Sequence, residues 1–160
     1  MNLFSMFSRY FWVLSLVVTA FNYLSSERVA AASGSGSPQA SDEARVLRRQ
    51  LALVSALPWV VMGVGIVAGE VPDVWHYFRP QDQNPYVLTW YCSIFFVAVL
   101  FAWWVFCRDG AVKTVKYQLF KTRSGLMHTV GRVKFFAVLG PIWIALWIAM
   151  VVSMNVHVPH

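Results

Sequence analysis

Apolar residues in this chain are gathered into four long blocks instead of recurring at the period of a soluble helix or strand. The blocks cover residues 10–26, 50–69, 86–107 and 135–156. The third, Tyr86–Cys107, holds 22 residues without one charge. As a helix rising about 1.5 Å per residue it reaches about 33 Å, enough to cross the hydrocarbon core of a bilayer. The first block, of 17 residues, lies near the short limit for a span. Aromatic rings sit near the block ends, where amphipathic rings favour the headgroup level: Trp12 and Tyr23 in the first, Tyr86, Trp90 and Tyr91 against Trp103 and Trp104 in the third. The pattern predicts an all-α fold, a single integral membrane bundle of four transmembrane helices over 1–160.

The polar segments between the blocks set the expected sidedness. Loops 27–49 and 108–134 together carry eleven Lys and Arg, while the N-terminal segment and the loop 70–85 carry only Arg9 and Arg79. Cytoplasmic loops collect cations, so both long loops are expected inside and both termini outside. Ala30-Ala31-Ala32 after the first block resembles a signal-peptide cleavage site. Cleavage there would invert the charge bias, so the block is read as a retained first span. Orientation, and the absence of eukaryotic sorting signals, fit a bacterial inner membrane.

Several local signals refine the elements. Residues 27–40, rich in Ala, Ser and Gly, read as a flexible linker. Ser41 followed by Asp42 and Glu43 reads as the start of a second helix from Asp42 to about Gly69, kinked at Pro58. Asn84 before Pro85 reads as the cap of the third helix. In the loop 108–134, apolar Val112, Val115 and Leu119 share a face with Lys116 and Arg123, so basic stems resting on the lipid surface describe it better than an amphipathic helix.

Three sets of small or polar residues suggest helix packing. Ser15, Thr19 and Asn22 share a stripe on the first span. Gly65 and Gly69 form a GxxxG pair on the second. Ala137, Pro141, Ala145, Ala149 and Ser153 recur every four residues on the fourth and are the expected main helix-packing seam.

Composition then narrows the chemistry. Of 160 residues, 58% are hydrophobic and 12% charged, which fits one membrane domain. The net charge of +6 sits beside apolar runs, which points to lipid headgroups and not to nucleic acid. Cys92 and Cys107, about 22 Å apart along one helix, are too far apart to pair. The four blocks contain no Asp, Glu, Lys, Arg or His, the groups with which intramembrane catalysis, proton relay or haem ligation works. No cofactor is therefore expected within the spans. One ligand-bearing set remains, His76, His157 and His160 on the outer side, where imidazoles suit copper or zinc and Asp73 or Asp82 offers an oxygen. The plainer reading is solvated loop and end histidines. The outer rings Trp75, Tyr77, Phe78, Tyr86, Trp90 and Tyr91 are expected to form an interfacial belt, or else to dock a partner.

The function expected is that of a non-catalytic accessory or scaffold subunit of a larger membrane complex, with the lipid bilayer and other membrane subunits as partners. A small oligomeric transporter or channel, with Ser15, Thr19 and Asn22 lining its path, is the first alternative. A metal-binding membrane protein using the outer histidines is the second.

Overall fold

The computed structural model describes residues 3–33, 38–120 and 129–153. Its elements are α1 (Leu3–Ser33), α2 (Pro38–Val67), two short 3-10 turns (Val74–Phe78 and Pro80–Asp82), α3 (Pro85–Cys107), α4 (Gly110–Lys116) and α5 (Val130–Ser153). No strand is present among the described residues, and α1, α2, α3 and α5 are each long and apolar enough to span a membrane. The all-helical, four-span reading of the sequence holds at that level.

Helix α1 does not stop with its apolar block. It runs through Glu27 to Ser33, because Ala30, Ala31 and Ala32 have the highest helix propensity and no glycine intervenes before Gly34. Helix α2 starts at Pro38, whose fixed φ and missing N–H suit a first helical position. The expected linker 27–40 is thus helical at both ends, and Ser41 lies inside α2 instead of capping it. Residues 34–37 fall outside the described set. Both α2 and α5 continue unbroken through their internal prolines, Pro58 and Pro141. Helix α3 begins as read: the Asn84 side chain accepts from the Tyr86 N–H at 2.9 Å and donates to the Glu70 carbonyl at 2.9 Å.

The helices pack as an open row in chain order. The substantial contacts run from α1 to α2, α2 to α3 and α3 to α5, leaving α1 and α5 at the two edges. A central helix in a row needs two contact faces, and α2 supplies them with two glycines about 200° apart. At Gly63 the Trp12 ring of α1 lies where a Cβ would be; at Gly65 the Tyr77 hydroxyl and the Tyr86 side chain occupy that space. Trp12 therefore packs against α2. Gly69, the second residue of the GxxxG pair, has nothing near its absent Cβ. Its φ of 79° ends α2 and turns the chain, with Val71 N–H donating back to the Gly65 carbonyl at 3.1 Å.

On α5 the face turned towards the chain runs Val133, Ala137, Gly140, Ile144, Trp147, Val151, alternating steps of four and three. The four-residue stripe shares only its inner end with that face. Ala137 is fully buried and Pro141 half-buried, whereas Ala145, Ala149 and Ser153 are exposed. The reason is geometric: four residues turn an α-helix by about 400°, so a period-four stripe drifts about 40° per step and leaves any straight contact line.

Candidate functional site

The outer end, so called for its expected sidedness, is closed by the loop between α2 and α3. Asp73 is extended and its Oδ1 accepts from the Trp75 N–H at 3.0 Å, starting the turn Val74–Phe78. That turn drives Tyr77 into the row, where it is completely buried and donates its O–H to the Met62 carbonyl at 2.9 Å. Burial, aided by the neighbouring Tyr86, pushes the Tyr77 phenol from 10.0 up to about 12. Its ring meets Trp90 edge-on at 5.3 Å, and Trp90 in turn meets Tyr91, Phe78 and Trp147. Trp75 stacks on Phe4 of α1 at 5.7 Å. Gln81 reaches the other edge of the row, donating from Nε2 to the Val151 and Val152 carbonyls at 3.0 and 2.9 Å. The described ends of α1 and α5 thus lie on the same side as this loop.

The outer aromatics are neither a belt nor a free docking patch. Tyr77, Trp90 and Tyr91 are buried, Phe78 and Tyr86 half-buried, and of the six only Trp75 is exposed. Trp90 Nε1 and Tyr91 OH are buried without a hydrogen-bond partner, so this core is held by ring contacts more than by polar ones. An open cleft of about 500 Å³ lies beside it, lined by Pro80, Gln81, Gln83, Leu88 and Val152.

Of the expected metal-ligating set, only His76 falls in the described region; His157 and His160 lie outside it. His76 Nδ1 is 2.9 Å from Asp73 Oδ1, the same oxygen that caps the turn. Asp82 faces Arg79 at 3.3 Å. No group of three His, Cys, Asp or Glu side chains able to hold a metal is present among the described residues.

On the stripe Ser15, Thr19, Asn22 the polar groups are bonded within their own helix or exposed. Ser15 and Thr19 are half-buried and donate to carbonyls of their own helix, Phe11 O at 3.0 Å and Ser15 O at 2.9 Å, while Asn22 is exposed. Ser55, Thr89, Ser93 and Ser153 do the same in their helices. Each hydroxyl proton is used locally, and none of these groups links two helices.

The inner end is built with charge and with small residues. Glu27 receives Arg48 at 2.6 Å and Arg45 at 3.3 Å, tying α1 to α2, and the Arg48 side chain is only 9% exposed. Glu43 accepts from the Tyr117 hydroxyl at 2.5 Å and faces Lys113 at 3.9 Å, tying α2 to α4 and the turn after it. Helix α4 is tucked under α3 and α5: Gly110, Ala111 and Thr114 are buried with Val105, Val133 and Ala137. Part of the basic loop is therefore a packed element, not a set of stems lying on lipid. The signal for it was the Gly-Ala pair and Thr114 at helical spacing, small enough to slide beneath Trp104. The Glu27 and Glu43 clamps join residues 18 to 74 positions apart, which the charge of each loop does not reveal.

Comparison with known protein families, curated proteins and solved structures finds no match to this chain.

Proposed function

We propose that this chain is a non-catalytic accessory or scaffold subunit of a larger membrane complex, placed in a bacterial inner membrane with both termini outside. The observation that carries the reading is the open row. Its edge helices keep most of their residues uncovered: over 4–28 of α1 only Ser8 is buried, and on α5 only Val133, Ala137 and Val151. On α5 the uncovered side includes Ala145, Ala149 and Ser153. Large side chains facing outward suit lipid, whereas small ones let another backbone come close, and association inside a bilayer rests on such fit. The absence of ionisable groups from the four apolar blocks gives catalysis nothing to work with there.

The test is assembly size in mild detergent. Wild-type protein extracted from its membrane should migrate well above its own mass of 18.2 kDa plus detergent. Ala145→Leu should shift it towards the free chain while leaving its thermal midpoint unchanged, and Val138→Leu should do neither. A wild-type chain that is already free removes the reading. Sidedness is checked separately, with Cys92 and Cys107 replaced by alanine. A cysteine at Glu70 should label with an impermeant thiol reagent in intact cells, and one at Lys116 should not.

A further inference from the structure

At the inner boundary of α3 and α5, two cations are parked over exposed aromatic rings. Arg108, the residue that caps α3, holds its guanidinium carbon 5.8 Å from the centre of the Trp103 ring. Lys134, in the second turn of α5, holds its ammonium 5.9 Å from the centre of the Phe106 ring. Trp103 and Phe106 are 50% and 49% exposed. Three residues of helix separate them, so their directions differ by only about 60°. Both cations therefore stand on one side of α3, at the level where its apolar run ends.

Two further features decide what this surface fits. Of the acids at the inner end, Glu27 pairs with Arg45 and Arg48 and Glu43 with Lys113, while Asp42 and Asp109 are exposed. Among the described residues no carboxylate, Asp109 included, forms an ion pair with Arg108 or Lys134. Above the cations, Cys92, Phe96, Val99, Trp103 and Phe106 form an exposed apolar lane at alternating steps of four and three, which keeps it on one face of α3. A pair of cations at the foot of a continuous apolar lane matches one kind of occupant: an anionic phosphodiester headgroup with its acyl chain running up the helix. An acidic protein segment would use the cations and leave the lane without a purpose.

We propose that Arg108 and Lys134, with the Trp103 and Phe106 rings against them, form a binding site for an anionic glycerophospholipid. The rings hold the cation stems at the boundary, so the phosphate meets charges already in position. The aromatic faces also supply a cation–π contact that survives when water is excluded. The lane along α3 takes the acyl chain. This site does not depend on the chain being a subunit of a larger complex.

Lipid retention in native mass spectrometry tests it, using delipidated full-length protein in detergent with either phosphatidylglycerol or phosphatidylcholine added. Wild-type protein should retain phosphatidylglycerol in clear preference. The double variant Arg108→Gln/Lys134→Gln should lower that retention by about tenfold or more, as expected for two cations at the lipid surface. Arg9→Gln/Arg49→Gln removes the same charge from exposed positions elsewhere and should retain it. Arg108→Lys alone, which keeps the charge, should stay near wild type and shows that the site tolerates substitution without unfolding. Equal retention of both lipids by wild type, or equal loss in the two double variants, would overturn the site. Inorganic phosphate in large excess should not displace the lipid; if it does, the surface recognises free phosphate and the lipid assignment falls.

Discussion

The two ends of the row solve the same problem with different materials. At the outer end the loop after α2 pushes Tyr77 and Phe78 between helices, and large rings fill the space around Trp90 and Trp147. At the inner end the buried residues are Val105, Ala111, Val133 and Ala137, and the work of joining helices passes to Glu27 and Glu43 at the rim. Ring contacts hold wherever water is absent, in lipid or protein, whereas ion pairs need the half-wet boundary where desolvation is incomplete. Damage at the outer end should therefore be general, and damage at the inner end should be local and sensitive to salt.

The largest effect is expected from Trp90→Ala, which removes the ring that touches Tyr77, Phe78, Tyr91 and Trp147. A cavity of that kind costs about 3–5 kcal/mol. It should show as a collapsed thermal midpoint in detergent and as accessibility of a cysteine at Met62, which is buried in the wild-type chain. A wild-type midpoint would mean that the rings are passengers.

Next comes Gly65→Val, which sets a branched side chain against Tyr77 and Tyr86. Overpacking there should cost about 1–3 kcal/mol. Gly69→Ala meets open space, and only its positive φ opposes it, a penalty of about 1 kcal/mol. The order of the two midpoints is the check; reversing it would return the GxxxG pair to a packing role at Gly69.

At the inner end, Glu27→Gln leaves Arg48 mostly covered and without its charged partner. The expected cost of about 1–2 kcal/mol falls between those of exposed and buried pairs. It should shrink in high salt, as the outer-end losses should not. Comparing chemical denaturation at two ionic strengths separates the two behaviours.

The smallest change is Tyr77→Phe, which removes one hydrogen bond to the Met62 carbonyl, worth about 1 kcal/mol. It also carries a pH signature. The folded phenol titrates at about 12 and the unfolded one at 10.0, so the neutral folded form contributes stability in full below pH 10 and loses it between 10 and 12. The variant should lack that share of the alkaline loss in a midpoint-versus-pH series.

Much of this architecture was legible in the sequence because long uncharged runs admit few alternatives in a membrane. The Asn84-Pro85 start of α3 was legible too, since the cap and the fixed φ act within two residues. What escaped depends on partners distant in the chain. The packing role of Gly63 comes from Trp12, fifty-one residues earlier, whose ring lies where a Cβ would be. The outer aromatics read as a belt because ring type alone does not tell lipid from a neighbouring ring. The α5 stripe leaves the face that packs within the chain for a purely local reason: a spacing of four looks straight in a sequence and winds around a helix whose turn is about 3.6 residues. Of the candidate site, the sequence offered His76 with Asp73 or Asp82; that the Asp73 oxygen is shared between the imidazole and a backbone N–H depends on the turn geometry and was not legible.

The open row has a consequence for how the protein is made. Every substantial contact between spans joins one to the span synthesised just before it. No span has to wait for a distant one to find its place. Each hairpin leaving the ribosome meets a surface that is already in the bilayer, so the search is short at every step and little unfinished surface accumulates. Release of nascent chains truncated after Cys107 should accordingly give an α1–α2–α3 unit that resists protease as the full chain does.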